Sequence, residues 1–320
     1  APTGGAGPAP PPAGVAAGQY HTCARKQDGT LWCWGNNFYG QLGDGTIVSS
    51  VNKWSPVQVA ALGTTVAEVT AGQYHTCART QDGTLWCWGG NQSGQLGNGT
   101  KSVTQGSPVQ VSALGATAVE VAAGEFHTCA RKQDGSLWCW GQNSSGQLGD
   151  GTNMDSSSPV QVAALGATVV AVATRGSHTC ARKQDGSLWC WGQNFSGQLG
   201  AATYNGTPAP SPLEVSLLGT SVAEVAAGSG HTCARMQDGS LWCWGSNYFG
   251  QLTWGTTTML GFVQEPSLGT SVVEVATGGT HTCARKQDGS LWCWGSNSYG
   301  QLGVGAGNPN GKPLQVPLCP

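Results

Sequence analysis

Charge is scarce in this chain. Asp, Glu, Lys and Arg make up 9% of 320 residues and leave a formal net charge of −2. No basic run is longer than Arg-Lys, and each such pair sits beside an Asp-Gly turn, as in Arg25-Lys26-Gln27-Asp28. A surface that tracks phosphates needs clustered cations, so nucleic acid is excluded as an expected partner. Long apolar runs are lacking too, which leaves nothing of the length a membrane-spanning helix requires. Cysteines two to four residues apart are missing, and with them the usual zinc signatures. No secretory leader is visible: the numbering opens at Ala1 with a Pro/Gly/Ala tract, and the expectation is a secreted chain whose leader has been removed.

What is present is a repeat. His21 to Gly35, His-Thr-Cys-Ala-Arg-Lys-Gln-Asp-Gly-Thr-Leu-Trp-Cys-Trp-Gly, returns in near copies beginning at His75, His127, His178, His231 and His281. The intervals are 54, 52, 51, 53 and 50 residues and consume nearly the whole chain. A period of this size means a propeller or a solenoid in which each repeat is one supersecondary unit. An unbroken repeat also favours a single domain, although the length would allow two. The 51 glycines fall largely at fixed repeat positions, which points to tight turns.

Each unit reads as a β-hairpin. Thr22–Lys26 and Thr30–Trp34 flank Gln27-Asp28-Gly29, and Asp-Gly between β-prone runs is a strong hairpin signal. With Gly29 in the left-handed position of a three-residue loop, Lys26 pairs with Thr30, Ala24 faces Trp32 and Cys23 faces Cys33. The cysteine pair then falls on a non-hydrogen-bonded rung, where Cα atoms lie closest and a cross-strand disulfide fits. The same register pairs Cys77 with Cys87, Cys129 with Cys139, Cys180 with Cys190, Cys233 with Cys243, and Cys283 with Cys293. Metal binding by His-x-Cys-x9-Cys is the rival reading, but one hairpin offers at most three ligands at an unusual spacing. Of 13 cysteines, Cys319 has no register partner and is either a free thiol or an intermolecular bridge. So many paired cysteines imply an oxidising, extracellular compartment.

Taken in order, residues 1–14 form a Pro/Gly/Ala arm in which Pro8, Pro10, Pro11 and Pro12 favour polyproline geometry. Residues 15–320 then repeat one series of elements: a Val-rich strand such as Val66–Thr70, the stapled hairpin, a polar loop such as Asn37–Thr46, and a strand such as Ser55–Val59. Four short strands per repeat fit a propeller blade. The motifs Gly-x-x-His-Thr, Asp-Gly-x-Leu-x-x-Trp-Gly and Asn-x-x-Gly-Gln-Leu-Gly resemble the regulator of chromosome condensation repeat over about residues 15–316. The paired cysteines are similar to secreted forms of that repeat. The resemblance implies a propeller, typically of seven blades; six repeats here lead us to expect an all-β, six-bladed propeller. Pro313–Val316 matches the outer strand and the leading strand of repeat one is short, so the N- and C-terminal segments are expected to meet in one blade and close the ring.

Site candidates follow from what breaks the repeat and from what does not. Six identical histidines argue against a catalytic role, because an active site gathers different residues once. The resemblance implies that each ties backbone groups within its blade, and no enzyme activity, cofactor or metal is expected. Nucleotide exchange, the family's best-known activity, uses an inserted wedge for which the even repeat spacing leaves no room. Protein binding through one face, as in secreted propeller inhibitors of β-lactamase, is the other implied role. Its candidate anchors are the irregular residues Trp54, Glu125, Arg175, Tyr204, Trp254 and Met259; the plainer alternative for each is local packing of a longer loop, and for Trp54 that is the preferred reading. Asn91, Asn98, Asn143, Asn194 and Asn205 are Asn-x-Ser/Thr sequons in loops.

The leading expectation is an extracellular structural protein that self-assembles head to tail, as a filament, by laying its arm on the next propeller. Extended, the arm reaches on the order of 40 Å. The arm could equally fold back on its own first blade. The alternative function is a secreted propeller that binds a partner protein or glycan.

Overall fold

The structure, a computed structural model, describes residues 14–47, 52–102, 104–201, 206–253, 259–305 and 311–317. Each repeat becomes one four-stranded antiparallel sheet, and the described residues build six of them. In blade 1 the strands are β1 (Gly14–Ala17), β2 (His21–Arg25), β3 (Leu31–Gly35) and β4 (Lys53–Gln58), hydrogen-bonded in that order. Blades 2 to 6 repeat the series over residues 66–110, 118–161, 169–214, 222–264 and 272–315. Their first strands lie side by side from blade 1 through blade 6 and surround the axis. The architecture is therefore the all-β, six-bladed propeller expected from the repeat.

The hairpin register is the one that Asp-Gly demands. Gly29 has φ 81°, a left-handed value that costs glycine nothing, and Lys26 N–H donates to the Thr30 carbonyl at 2.9 Å. Asp28 Oδ1 accepts both the backbone N–H and the hydroxyl of Thr30, which holds the turn. Ala24 then faces Trp32 and Cys23 faces Cys33. Every pairing expected from the register is formed within its own hairpin. Cys23 is joined to Cys33, Cys77 to Cys87 and Cys129 to Cys139, each with a Cα separation of 4.1 Å. Cys180 is joined to Cys190, Cys233 to Cys243 and Cys283 to Cys293 at the same separation of 4.1 Å.

The hydrophobic core lies between blades. Cys23, Leu31, Cys33, Leu42, Val59 and Leu62 of the first repeat pack against Val66, Ala78 and Trp88 of the second. Equivalent clusters fill the next four junctions, ending with blade 5 against blade 6. Each fully buried Leu at these junctions contributes about 2 kcal/mol. Short 3-10 turns such as Ala60–Leu62 carry the chain from one outer strand to the next blade and bury a leucine there.

A polar chain runs alongside this packing and corrects the expectation for the histidines. His21 Nε2 lies 2.7 Å from Thr76 Oγ1 in the neighbouring blade, not within its own. Thr76 donates its single hydroxyl proton to the Gln41 carbonyl, so His21 must be the donor in the first contact. Trp88 Nε1 donates to that same carbonyl. The series His75–Thr128–Gln95, His127–Thr179–Gln147, His178–Thr232–Gln198 and His231–Thr282–Gln251 repeats the histidine and threonine bonds, and Trp140, Trp191 and Trp244 repeat the tryptophan bond, whereas Trp294 Nε1 is left without a partner among the described residues. Burial holds these imidazoles neutral, pushing His75, His127 and His231 down to about 3 and His21 and His178 to about 4.

Among the described residues the expected joint terminal blade is not formed. β1 pairs with β2 in blade 1, and Leu314–Gln315 pairs with Leu291–Gly295 in blade 6. Val15 and Ala16 find Ala24 and Cys23 opposite them, so the N-terminal segment supplies a complete inner strand to its own sheet.

Candidate binding face

One end of the propeller carries the long loops. β2 starts there at His21 and β3 returns there at Gly35, so the Asn-x-x-Gly-Gln-Leu loop of every repeat emerges on the same side. The loop is built around its buried Asn. Asn91 Oδ1 accepts from Leu96 N–H, while its Nδ2 donates to the Thr100 carbonyl at 3.0 Å. The Gln side chain accepts from the backbone at the tip, as Gln41 Oε1 does from Tyr39 N–H. These bonds leave the two residues after each Asn projecting outward.

Those projecting positions hold aromatics in several repeats. Phe38, Phe195, Tyr248, Phe249 and Tyr299 are exposed large side chains, with Tyr299 94% accessible. The residue before each of the first three histidines is aromatic too. Tyr20 stacks on Tyr74 at 5.5 Å between ring centroids, Tyr39 meets Tyr74 at 4.7 Å, and Tyr74 meets Phe126 at 5.9 Å. An aromatic arc therefore crosses blades 1 to 3 at the loop end. The signal was visible in the sequence as variable residues inside an otherwise constant loop, but only the fold shows that they share one side.

At the axis of this end lies a cavity of about 580 Å³ whose lining includes Gln19, Gln73, Glu125, Arg175, Phe249 and Tyr299. Partial burial raises the Glu125 carboxyl and lowers the Arg175 guanidinium. Of the residues singled out as irregular, the structure brings these two together around one opening. Trp54 stands on the outer strand of blade 1, 86% exposed, so the reading of local packing does not hold for it. Met259 begins the outer strand of blade 5. Tyr204, Trp254, Asn205, Cys319 and the arm prolines Pro8, Pro10, Pro11 and Pro12 lie outside the described residues.

The sequons need correction. Asn91, Asn143 and Asn194 are buried. Asn91 and Asn143 spend their amide nitrogens inside their loops, and a glycan has no room on any of the three in the folded protein. Asn98 is only half-buried, and its Oδ1 accepts from Thr100.

The chemistry offered around the cavity is that of contact: aromatic faces, amides, the Glu125 carboxylate and the Arg175 guanidinium, while the surrounding loops add the ion pairs Asp44–Lys53 and Asp155–Lys101. The histidines beneath are neutral, and five of them already donate to threonines. Among the described residues no three His, Cys, Asp or Glu converge as a metal-ligand set, and no helix is long and apolar enough to cross a membrane.

Fold and face together define a tandem-repeat propeller whose variable chemistry is gathered at its loop end. The RCC1-like domain matches residues 115–319, and the regulator of chromosome condensation (RCC1) repeat matches residues 28–79 and 82–131; the chain belongs to this family. The ultraviolet-B receptor UVR8 of Arabidopsis thaliana is 34% identical over 244 residues, 74% of this chain and 54% of the receptor. The E3 ubiquitin-protein ligase HERC2 of Homo sapiens is 35% identical over 225 residues, 69% of this chain and 5% of the ligase. The chain thus spans about half the length of UVR8 and a small part of HERC2. Human WBSCR16 superposes with a TM-score of 0.84 at 25% identity, covering 95% of this chain and 81% of that one. Yeast RCC1 (Prp20), solved bound to Kap60, superposes at 0.82 and 23% identity over 94% and 74%, a likeness of fold.

Proposed function

We propose that this protein is a non-enzymatic, extracellular propeller that binds a partner protein through its loop end. The observation that carries the reading is the set of exposed aromatics, Phe38, Phe195, Tyr248, Phe249 and Tyr299, gathered on one side around a cavity holding Arg175. Large rigid aromatics and arginine are the side chains that anchor interfaces, because they bury much area at little entropic cost. Six disulfides support an oxidising compartment.

The same exposed rings favour a second reading. Aromatic surfaces receive polyproline segments, so the Pro-rich arm, residues 1–14, of one copy can lie on the face of the next. A head-to-tail contact of that kind does not close on itself and builds a filament.

The test uses photo-reactive side chains placed singly at Tyr299, on the face, and at Gln287, in the opposite turn, on secreted protein in its native medium. Cross-linking to a distinct protein from position 299 alone is the expected result. Equal cross-linking from both positions, or none from 299, overturns the reading. Cross-links from 299 to residues 1–14 of another copy, lost when the arm is deleted, establish the second reading instead.

A further inference from the structure

In blades 2, 3, 5 and 6 the third residue of the first strand is a glutamate: Glu68, Glu120, Glu224 and Glu274. Each accepts from the Nε of an arginine on the neighbouring strand, Arg79, Arg131, Arg235 and Arg285, at 2.9 or 3.0 Å. In blade 4 the position is Ala171, opposite Arg182 in the same register. Arg182 Nε is buried and has no hydrogen-bond partner among the described residues. Blade 1 also lacks the acid, with Gly14 opposite Arg25, but there the guanidinium turns to the Lys26 carbonyl.

The glutamates also reach across junctions. Glu120 Oε1 accepts from the Val172 N–H of the next blade at 3.2 Å, while its Oε2 holds Arg131. One planar carboxylate thus bridges an arginine of its own blade and a main-chain N–H of the blade that follows. Burial raises the Glu68 carboxyl, and Arg79 and the Val121 N–H of the next blade draw it back.

Val225 has the place in blade 5 that Val172 has in blade 4, opposite Ala234 as Val172 is opposite Ala181. The Gly228 N–H donates to the His231 carbonyl, and alternation along the ladder then puts Val225 on a rung whose N–H turns away from it. Ala171 ends at Cβ, so among the described residues no side chain takes the Val225 N–H as Glu120 takes that of Val172.

Two donors therefore stand where the preceding junction holds a carboxylate. The flanking acids are committed, Glu120 to Arg131 and Val172, and Glu224 to Arg235. The frame is firm, because the His178–Thr232 bond closes this junction at 3.0 Å beside the buried Cys180, Leu188 and Val222. Between alanine and glutamate the difference is one methylene and one carboxylate, the size of acetate. Two separate N–H donors suit the two oxygens of one carboxylate better than they suit a spherical anion.

We propose that the Arg182 Nε–H and the Val225 N–H form a binding site for the carboxylate of a small aliphatic acid, held between blades 4 and 5 as Glu120 is held between blades 3 and 4. Arg182 lies near the Asp-Gly turn that ends its strand, His178–Lys183, so the site is at the opposite end from the long loops and does not rest on the reading of that end.

The probe is sodium acetate, titrated into the full chain at constant ionic strength with chloride as the replaced anion. Nitrogen-15 NMR follows the Val225 amide and the Arg182 Nε–H. Both resonances should shift saturably, with a Kd on the order of 1 mM for so small a ligand. At roughly 0.1 M acetate the Tm should stand about 4 °C above that in chloride. Ala171→Glu supplies the carboxylate from the chain itself, and should raise the Tm without acetate and abolish the response. Arg182→Gln should abolish the response as well. Glu120→Ala copies the blade 4 arrangement into blade 3 and should gain a second saturable shift, at Val172. Resonances that stay still, or that move equally in Ala171→Glu, overturn the proposal. Equal shifts with chloride or sulfate overturn the carboxylate class. A capped peptide bearing one glutamate that binds more tightly than acetate assigns the site to a partner's side chain and overturns the small acid.

Discussion

His127 Nε2 lies 2.9 Å from Thr179 Oγ1 of the following blade, and that hydroxyl donates onward to the Gln147 carbonyl at 2.9 Å. Blades are thus tied by a directional polar chain running beside an apolar seam, with the proton order set by the hydroxyl. Thr179→Val keeps the shape and removes the acceptor, leaving a buried N–H without a partner. The expected loss is about 1–3 kcal/mol, seen as a lower urea midpoint. Thr22→Val, at the position where no such contact is made among the described residues, should leave the midpoint unchanged.

Acid should loosen the same chain. Folded-state values near 3 and 4 for the buried imidazoles lie below the unfolded value of 6.5. The unfolded chain therefore binds more protons below pH 6.5, and stability rises with pH through that window. Stability is complete above about pH 6.5 and drains as pH falls toward the folded values, each such histidine contributing about 1.4 kcal/mol per pH unit. Thermal melts between pH 7.5 and 4.5 check this; a Tm constant across that range would contradict it.

Each hairpin disulfide closes a loop with a sequence separation of 10 residues, worth roughly 2–3 kcal/mol through the unfolded chain. The double variant Cys129→Ala with Cys139→Ala should lose about that much. Non-reducing peptide maps should show only pairs within hairpins, such as Cys77 with Cys87 or Cys180 with Cys190. A peptide linking different repeats, for instance Cys243 with Cys293, would count against the arrangement.

Produced in a host that glycosylates, the protein should carry no sugar at Asn91, Asn143 or Asn194. All three are buried, and the first two donate from the amide nitrogen a glycan would occupy. Among the described sequons Asn98 is the one expected to be modified. Glycopeptide mass spectrometry decides, and occupancy at Asn143 in folded protein would show that the loop forms differently.

A substitution at the turn tests the local code. Asp134 Oδ1 accepts from the backbone N–H and the hydroxyl of Ser136, and these bonds hold its carboxyl below the usual carboxylate range. Asp134→Ala should cost about 1 kcal/mol by removing the one oxygen that accepts both bonds, measured against the parent by chemical denaturation.

Much of this was legible in the residues. Asp-Gly between β-prone runs imposed the loop, the loop imposed the register, and the register set Cys23 opposite Cys33 before any tertiary contact was known. Such information is local: it lies within about fifteen residues and is repeated six times, so each copy confirms the others. The histidine partner was not legible, because Thr76 lies 55 positions from His21 and an equally plausible bond existed inside the blade. The sequons misled for a related reason. An Asn in a polar loop reads as exposed, and only the folded loop shows it turned inward as the hub.

Ring closure lay furthest from the sequence. Every repeat carries both of its junction faces in its own residues, so six repeats imply six of each face and give no hint that two remain unmated. Whether the last blade reaches the first depends on the angle accumulated over all the junctions, which no single repeat encodes. The alternating faces were therefore determined by the sequence alone. That Trp34 and His281, unlike Trp88 and His21, make no junction contact among the described residues was decided by how the blades assemble.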